Sequence, residues 1–455
     1  MKKDTTFIIL GATGDLTKRK IIPAIYNLLK DKKIKKFVII GVARSDIDIQ
    51  KILLESKKLI KNLDKKTWEK IVNSSYYRPL DFYNKNDYKK FEEFVIEIEK
   101  KHNLNGRRIF YLATLPQHFK NITFNLSKLQ ISKENENKDI SVVYEKPFGD
   151  DLKSAREINK NINKIFKEKQ IYRIDHYLGK KLVGNIALIR FTNRIFEPLW
   201  NKENISSVEI ILSENFGIKE RGNFYDKYGA LKDVVQNHAF QLLSLIAMES
   251  PKMISGEYLR NEKKKVLEKV KIKDVILGQY EGYKKEKGVE KNSVTETFAG
   301  LHLQINNPRW KGVPFYIKAG KNLDKNNVSI HIKFKKTNCL LSKNCSMDEN
   351  EFIIKIQPER KFELKINSKV QESNFEVSPI NMEFCYTCLY GPNTPEAYEV
   401  LLEEIIKRDQ SFFVRNDEIE EAWKIIDQIE KQNNKINIYK KGSEGPKELK
   451  NWNIN

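Results

Sequence analysis

Short apolar runs alternating with amphipathic helical stretches leave the first part of this chain few ways to fold. Residues 7–10, 37–41, 108–113 and 140–144 are compact apolar runs, while 87–102, 117–129 and 152–166 carry apolar residues at helical spacing. A strand that is apolar on both faces must be covered on both, and a helix after it supplies the crossover that parallel pairing needs. The pattern predicts an α/β unit over residues 1–171, a doubly wound parallel sheet of Rossmann type. From Tyr172 the texture changes. Helical stretches at 181–190 and 231–248 are joined by alternating segments at 208–212, 295–305 and 328–334, and amphipathic helices follow at 397–407 and 417–430. Alternation marks strands with one covered face, so residues 172–455 are expected to form a larger α+β domain on an antiparallel sheet covered by helices.

Length and charge agree with a two-domain protein and exclude several classes. A chain of 455 residues exceeds what one hydrophobic core ordinarily organises. The formal charge of +22 raises the question of a nucleic-acid partner. The lysines are spread along the whole chain, however, and there is no zinc finger, RGG tract or aromatic-interleaved basic strand. No specific nucleic acid is expected. No arginine-rich leader or signal peptide precedes the first apolar run, and the apolar stretch 239–248 falls short of a membrane span. A cytoplasmic protein without membrane contact is the expectation. The four cysteines lie between residues 339 and 388, and the Cys385–Cys388 pair lacks a second pair at zinc-ribbon spacing. They are read as reduced thiols, with no metal site.

GATGDLTKRK, residues 11–20, falls where the first strand gives way to a helical pattern ending at Lys30. Gly11 and Gly14 let the backbone turn tightly and approach a pyrophosphate at the helix N-terminus; Thr17 stands at the third glycine position of the fingerprint. The second apolar run ends GVARS, with Arg44 and no carboxylate before Asp46. An acid there would bind the ribose hydroxyl of NAD, whereas an arginine pairs with a 2′-phosphate, so NADP is the expected cofactor. EKPFG, residues 145–149, ends another strand of the same sheet. Ligands lie at that edge, so Lys146 is expected to reach cofactor and substrate together, with Pro147 fixing the bend.

YRIDHYLGKK, residues 172–181, gathers an acid, an imidazole, a phenol and two ammonium groups. Asp175, His176 and Tyr177 are consecutive and cannot share one face of a helix or strand. His176 and Tyr177 as donors, with Lys180 as a fixed charge, suit a phosphate monoester. Asp175 would repel such a ligand and is better suited to orienting a base. The best base is His238, on an apolar helix; His102, His118, His302 and His331 lie in segments that read as structural. Its carboxylate partner has three candidates: Asp175, Glu214 and Asp233, the last about one and a third turns earlier. A histidine and carboxylate beside a phosphate site suit oxidation of an alcohol, the base removing the hydroxyl proton while carbon gives up hydride.

Taken in order, these motifs resemble those of the glucose-6-phosphate dehydrogenase family. The similarity runs through GATGDL, GVARS, YLATLP, EKPFG, RIDHYLGK, NIALIRFTNRIFEPLWN, RGNFYDKYGALKDVVQNH, RWKGVPFYIKAGK, PEAYEVLLEEIIKRD and RNDEIEEAW, and only residues 335–378 lack a matching motif. The resemblance implies oxidation of glucose 6-phosphate to 6-phosphogluconolactone with NADP, the first step of the oxidative pentose phosphate pathway. It makes His238 the general base for the C1 hydroxyl and Asp175 the group that stabilises the imidazolium. His176, Tyr177, Lys180 and Lys146 would hold the 6-phosphate, and Glu214, Asp233 and Lys321 the sugar. Gly11, Thr13, Gly14 and Arg44, with Lys146, would hold NADP. The family's second domain commonly makes a dimer interface, which implies a homodimer or homotetramer. The chain departs from the family at Lys181, usually an acid, at Lys219 in KERG for EGRG, at Gln117 for a second proline, and at Asn326 and Asn327, where a basic residue is usual. These departures bear on phosphate affinity and the sugar loop; none removes a proton-transfer group. A sugar oxidoreductase of the Gfo/Idh/MocA type would share the Rossmann domain and the EKP lysine but not RIDHYLGK followed by DVVQNH. A nucleic-acid-binding protein would explain the charge but not the paired motifs.

Overall fold

The computed structural model describes residues 4–452 apart from 105–106, 134–138, 339–346, 370–376, 386–387, 389–395 and 433. The chain forms two compact units. The first comprises Met1–Lys181, Ser255–Arg260 and Pro395–Asn416, and the second Leu182–Ile254, Asn261–Thr394 and Asp417–Asn455.

In the first unit, β1 (Thr5–Leu10), β2 (Phe37–Ala43), β3 (Ser75–Pro79), β4 (Arg107–Leu112), β5 (Ile140–Tyr144) and β6 (Ile171–Arg173) form one sheet. Its order is β3-β2-β1-β4-β5-β6, and every pair is parallel. The strand β1 shows why its sequence is an unbroken apolar run. Phe7 and Ile9 enter a core with Ile25, Trp68, Leu402 and Phe413, while Ile8 and Leu10 enter another with Phe91, Phe119 and Ile162. Successive side chains of a strand point to opposite faces, so a sheet with a core on each side requires both sets to be apolar. Each such side chain contributes about 1.5–3 kcal/mol on burial. Strand order reverses between β1 and β4, and the crevice beyond their C-terminal ends is where such sheets hold ligands.

Among the described residues, the second unit is built on nine strands: β7 (Ile205–Ser213), β8 (Val270–Tyr280), β9 (Phe298–Ile305), β10 (Pro314–Gly320), β11 (Asn327–Phe334), β12 (Glu351–Gln357), β13 (Lys361–Lys369), β14 (Val377–Cys385) and β15 (Ile436–Tyr439). Their order is β14-β13-β12-β11-β7-β10-β9-β8-β15. The sheet is mixed rather than wholly antiparallel: β10 runs parallel to β7, and β15 parallel to β8. A parallel neighbour needs a long return path, and the helices, β8 and β9 between β7 and β10 provide it. The expected helix at 231–248 is present, with its first part, Leu231–Ala239, wound as a π-helix and the rest, Phe240–Ala247, as an α-helix. The π-helical part packs on β7, β9 and β10.

The cysteine reading needs correction. Cys385 and Cys388 are joined by a disulfide rather than standing as thiols; Cys339 and Cys345 lie outside the described residues. The CxxC spacing brings the two sulfurs within bonding reach, so a lone pair can close on itself without a wider disulfide framework or a second pair at zinc-ribbon spacing. Among the described residues, no helix is long and apolar enough to cross a membrane.

Candidate active site

The glycine turn follows β1. Gly11 has φ +95°, and a Cβ there would lie 2.3 Å from the carbonyl oxygen of Ala113, so only glycine fits. The N–H groups of Gly11 and Ala12 donate to the Val42 carbonyl at 2.7 and 3.1 Å, which ties the turn to the end of β2. Thr17, at the third fingerprint position, is buried and donates its hydroxyl to the Gly11 carbonyl at 3.2 Å. The turn is thus closed by a side chain where the fingerprint has glycine. Thr13 lies within it, and Arg44 is exposed just beyond the C-terminal end of β2. The Tyr77 hydroxyl, on neighbouring β3, donates to the carbonyls of Ala43 and Ser45, the residues on either side of Arg44.

Lys146 leaves the end of β5 in the first unit, and its peptide bond to Pro147 is cis. The loop after β6 carries the phosphate candidates. Asp175 is 2% exposed and accepts the Tyr177 N–H at 2.9 Å, while Lys180 N–H donates to the Tyr177 carbonyl at 3.0 Å. These turns put Lys180 Nζ 3.6 Å from the centre of the Tyr177 ring and set the His176 and Tyr177 rings edge to face at 5.1 Å. His176, Tyr177 and Lys180 are partly exposed while Asp175 is buried. Gly179 is demanded by packing: a Cβ there would lie 2.6 Å from the Ala397 carbonyl, on the helix Ala397–Lys407 of the same unit.

In the second unit the sugar candidates lie at strand ends. Glu214 follows β7 and Lys321 follows β10; the parallel register pairs Ser213 with Gly320, so the two side chains emerge together and form an ion pair. Lys321 is 6% exposed and also lies 5.1 Å from the Tyr225 ring centre. Burial first, and then the charges of Asp233 and Glu296, push the Tyr225 hydroxyl well above its ordinary pKa, so it stays a neutral donor. Asp233 and His238 both lie on the π-helical segment, 8% and 3% exposed. Arg221 reaches Asp233 at 3.7 Å. Just after His238, Gln241 is held in a buried network in which Lys263 Nζ meets Gln241 at 2.7 Å and Glu418 at 2.8 Å.

Residues 8–185 match the family profile for the glucose-6-phosphate dehydrogenase NAD binding domain, and 187–453 match that for its C-terminal domain. The chain belongs to the glucose-6-phosphate dehydrogenase family. A glucose-6-phosphate 1-dehydrogenase of Chlamydia muridarum is 39% identical over 460 residues, spanning 94% of this chain and 90% of that one. One from Dictyostelium discoideum is 39% identical over 461 residues, spanning 97% and 92%. A solved glucose-6-phosphate dehydrogenase in complex with its substrate glucose-6-phosphate is similar at TM-score 0.92 and 32% identity, covering 99% of this chain and 97% of that one. A levoglucosan dehydrogenase at TM-score 0.52 and 8% identity shares the fold alone.

Of the chain's departures from the glucose-6-phosphate dehydrogenase pattern, Lys219 and Asn326 have local partners. Lys181 is exposed and opens the helix Lys181–Thr192. Lys219 lies over the Phe216 ring at 4.6 Å. Asn326 accepts the Asn215 N–H at 2.9 Å, so it braces the residue beside Glu214. The other histidines have settled surroundings: His102 Nε2 lies 2.6 Å from the Tyr76 hydroxyl, His118 Nδ1 2.9 Å from the Tyr83 hydroxyl, and His331 Nδ1 2.8 Å from Glu351. His302 packs its ring on Tyr316 at 4.8 Å. Tyr77, Arg221 and Tyr225 escaped the sequence reading. Arg221 and Tyr225 stand inside RGNFYD, a motif already singled out, which was the available signal; Tyr77 left none.

Proposed function

We propose that the chain oxidises D-glucose 6-phosphate to 6-phospho-D-glucono-1,5-lactone, with NADP as the cofactor. The observation that carries this reading is the agreement over 99% of the chain with a dehydrogenase that holds glucose 6-phosphate. When bound, NADP supplies the acceptor for the hydride that leaves C1. Its fit is supported by the Gly11 cradle, which a Cβ would fill, and by an exposed arginine, Arg44, at the strand end where an acid would favour NAD. Gly11, Thr13, Gly14, Arg44 and Lys146 would hold it.

The chain's own residues then have separable tasks. His238 takes the C1 hydroxyl proton as that oxygen becomes the lactone carbonyl, and Asp175 stabilises the imidazolium that results. His176, Tyr177, Lys180 and Lys146 hold the 6-phosphate, and Glu214, Asp233 and Lys321 hold the sugar. Phosphate binding far from C1 provides orientation that the proton and hydride transfers need. On this reading residues 1–171 bind cofactor and 172–455 bind substrate and pair subunits, in a cytoplasmic homodimer or homotetramer.

Reduced nicotinamide formation, followed by absorbance with glucose 6-phosphate or free glucose and either cofactor, tests the reading. Activity should require the phosphate and favour NADP. Equal rates with free glucose, or no activity on either, would overturn it.

A further inference from the structure

Lys321 is fixed from several sides within the second unit. Its N–H donates to the Thr297 carbonyl at 3.0 Å, and its carbonyl accepts the Tyr439 hydroxyl at 2.6 Å. The pairing of β7 with β10 continues past the strand ends. Glu214 N–H donates to the Gly320 carbonyl at 3.0 Å, Leu323 N–H to the Glu214 carbonyl at 3.0 Å, and Asn322 N–H to the Phe216 carbonyl at 3.1 Å. This ladder sets Phe216 beside Lys321, whose Nζ lies 5.6 Å from the centre of the ring. The Tyr225 ring, on the helix Gly222–Ala230, lies 5.1 Å from the same Nζ. Tyr225 is 1% exposed and Phe216 37%. One carboxylate and two aromatic rings therefore meet this ammonium. Lys219 Nζ also lies 4.6 Å from the Phe216 ring, so that ring serves two cations.

We propose that Phe216 and Tyr225 are positioning residues for Lys321, an aromatic seat that holds its ammonium in place and leaves N–H groups for the oxygen atoms of the sugar. The inference rests on the reading of Lys321 as a sugar-binding residue. An ammonium has three N–H donors, and Glu214 accepts one of them. A second carboxylate in place of the rings would take another donor and offset the charge. An aromatic face instead attracts the cation through its quadrupole, so the lysine stays charged and its remaining donors stay available. The Tyr225 hydroxyl has no part in this. Among the described residues it makes no hydrogen bond, so what the position requires is the ring.

The test is KM and turnover for glucose 6-phosphate in Phe216→Leu, Tyr225→Leu and Tyr225→Phe, each made alone and together with Lys321→Met. Tyr225→Leu should raise KM roughly three- to tenfold and Phe216→Leu roughly two- to threefold, the more exposed ring holding the cation less strongly. Turnover should fall less than KM rises. Tyr225→Phe keeps the ring and should restore what Tyr225→Leu loses. Combined with Lys321→Met, neither leucine change should raise KM further, because the ammonium to be held is gone. Equal effects in both backgrounds would make the rings merely structural and overturn the inference. If Tyr225→Leu does not fold, Phe216→Leu and Tyr225→Phe carry the comparison. NMR of the free protein needs no substrate: ring currents should displace the Lys321 ε-methylene resonances, and the displacement should shrink in Phe216→Leu and persist in Tyr225→Phe. Unchanged resonances in Phe216→Leu would overturn the seat, whereas an enzyme inactive on glucose 6-phosphate would overturn the function.

Discussion

Gly229 and Glu296 fit together as absence and occupant: a Cβ on Gly229 would lie 2.2 Å from the Glu296 carboxylate oxygen. That oxygen accepts the Leu231 N–H at 2.9 Å, and the Glu296 carbonyl accepts the Ala230 N–H at 3.0 Å. Gly229 has φ +61°, which turns the chain out of the helix Gly222–Ala230 and into the segment that carries Asp233 and His238. The first N–H groups of a helix lack partners within it, and a carboxylate there also meets the favourable end of the dipole. Glu296 thereby sets where the segment that carries Asp233 and His238 begins.

Gly229→Ala should destabilise the protein by about 1–3 kcal/mol, because alanine is strained at this φ and must also displace the carboxylate. Turnover should fall more than cofactor affinity, since the disturbed segment holds His238. Thermal unfolding and steady-state kinetics check this. A variant with wild-type midpoint and turnover would mean the segment starts correctly without the glycine.

Glu296 also predicts a pH dependence of stability. Burial pushes its pKa up to about 7, partly opposed by the Leu231 N–H. Its folded pKa lies above that of the unfolded chain, so the unfolded state releases the proton first as pH rises. Its stability contribution is present at pH below the ordinary carboxylate value and is lost as pH rises to about 7. Glu296→Gln keeps an acceptor for Leu231 and cannot ionise. The melting temperature of this variant minus that of wild type should rise by a few degrees across that interval and then level off; a flat difference would remove Glu296 as the titrating group.

Arg44→Ala should weaken NADP roughly ten- to a hundredfold while leaving NAD nearly unchanged, the worth of one charge-assisted bond of about 1.5–3 kcal/mol. Tyr77→Phe should shift the same ratio in the same direction but less, because its hydroxyl holds the carbonyls on either side of Arg44. Dissociation constants for both cofactors decide it: equal losses for NADP and NAD would give Arg44 a different task.

The parts of this molecule that are legible in its sequence are those with a period or a local motif. Strands β1, β2, β4 and β5 are buried along their whole length, so they stand out as apolar runs. Strand β3 includes Tyr76, Tyr77 and Arg78 at the sheet edge and β6 is three residues long, so neither leaves a pattern. Glu214 and Lys321 are legible as strand-end residues, but their pairing depends on the parallel register of β7 and β10, which no spacing encodes. Partners recruited from far away are invisible for the same reason. Nothing local to Glu145 points to Tyr398, 253 residues on, and nothing local to Leu231 points to Glu296, 65 residues on.

His176→Ala should mainly raise KM for glucose 6-phosphate, since the 6-phosphate is remote from the reacting carbon. Losing one charge-assisted donor corresponds to roughly a ten- to hundredfold rise. A smaller fall in turnover should accompany it, because remote binding energy helps to place C1. Unchanged KM with turnover abolished would exchange the tasks assigned to His176 and His238.

His238→Asn tests the mechanism itself. Asparagine is close in size to histidine and keeps hydrogen-bonding capacity, so folding and ligand affinities should largely survive at this buried position. It cannot accept the C1 hydroxyl proton, and hydride leaves C1 poorly while that oxygen stays protonated. The loss should fall on turnover, about 10²–10⁴-fold for removal of a general base. Asp175→Asn should give a smaller defect in the same parameter, because the base remains while its charged form loses a partner. The wild-type rate should decline on the acid side as the imidazole is protonated, and that limb should be absent from His238→Asn. Near-normal turnover with the acid limb intact would assign the base to another group.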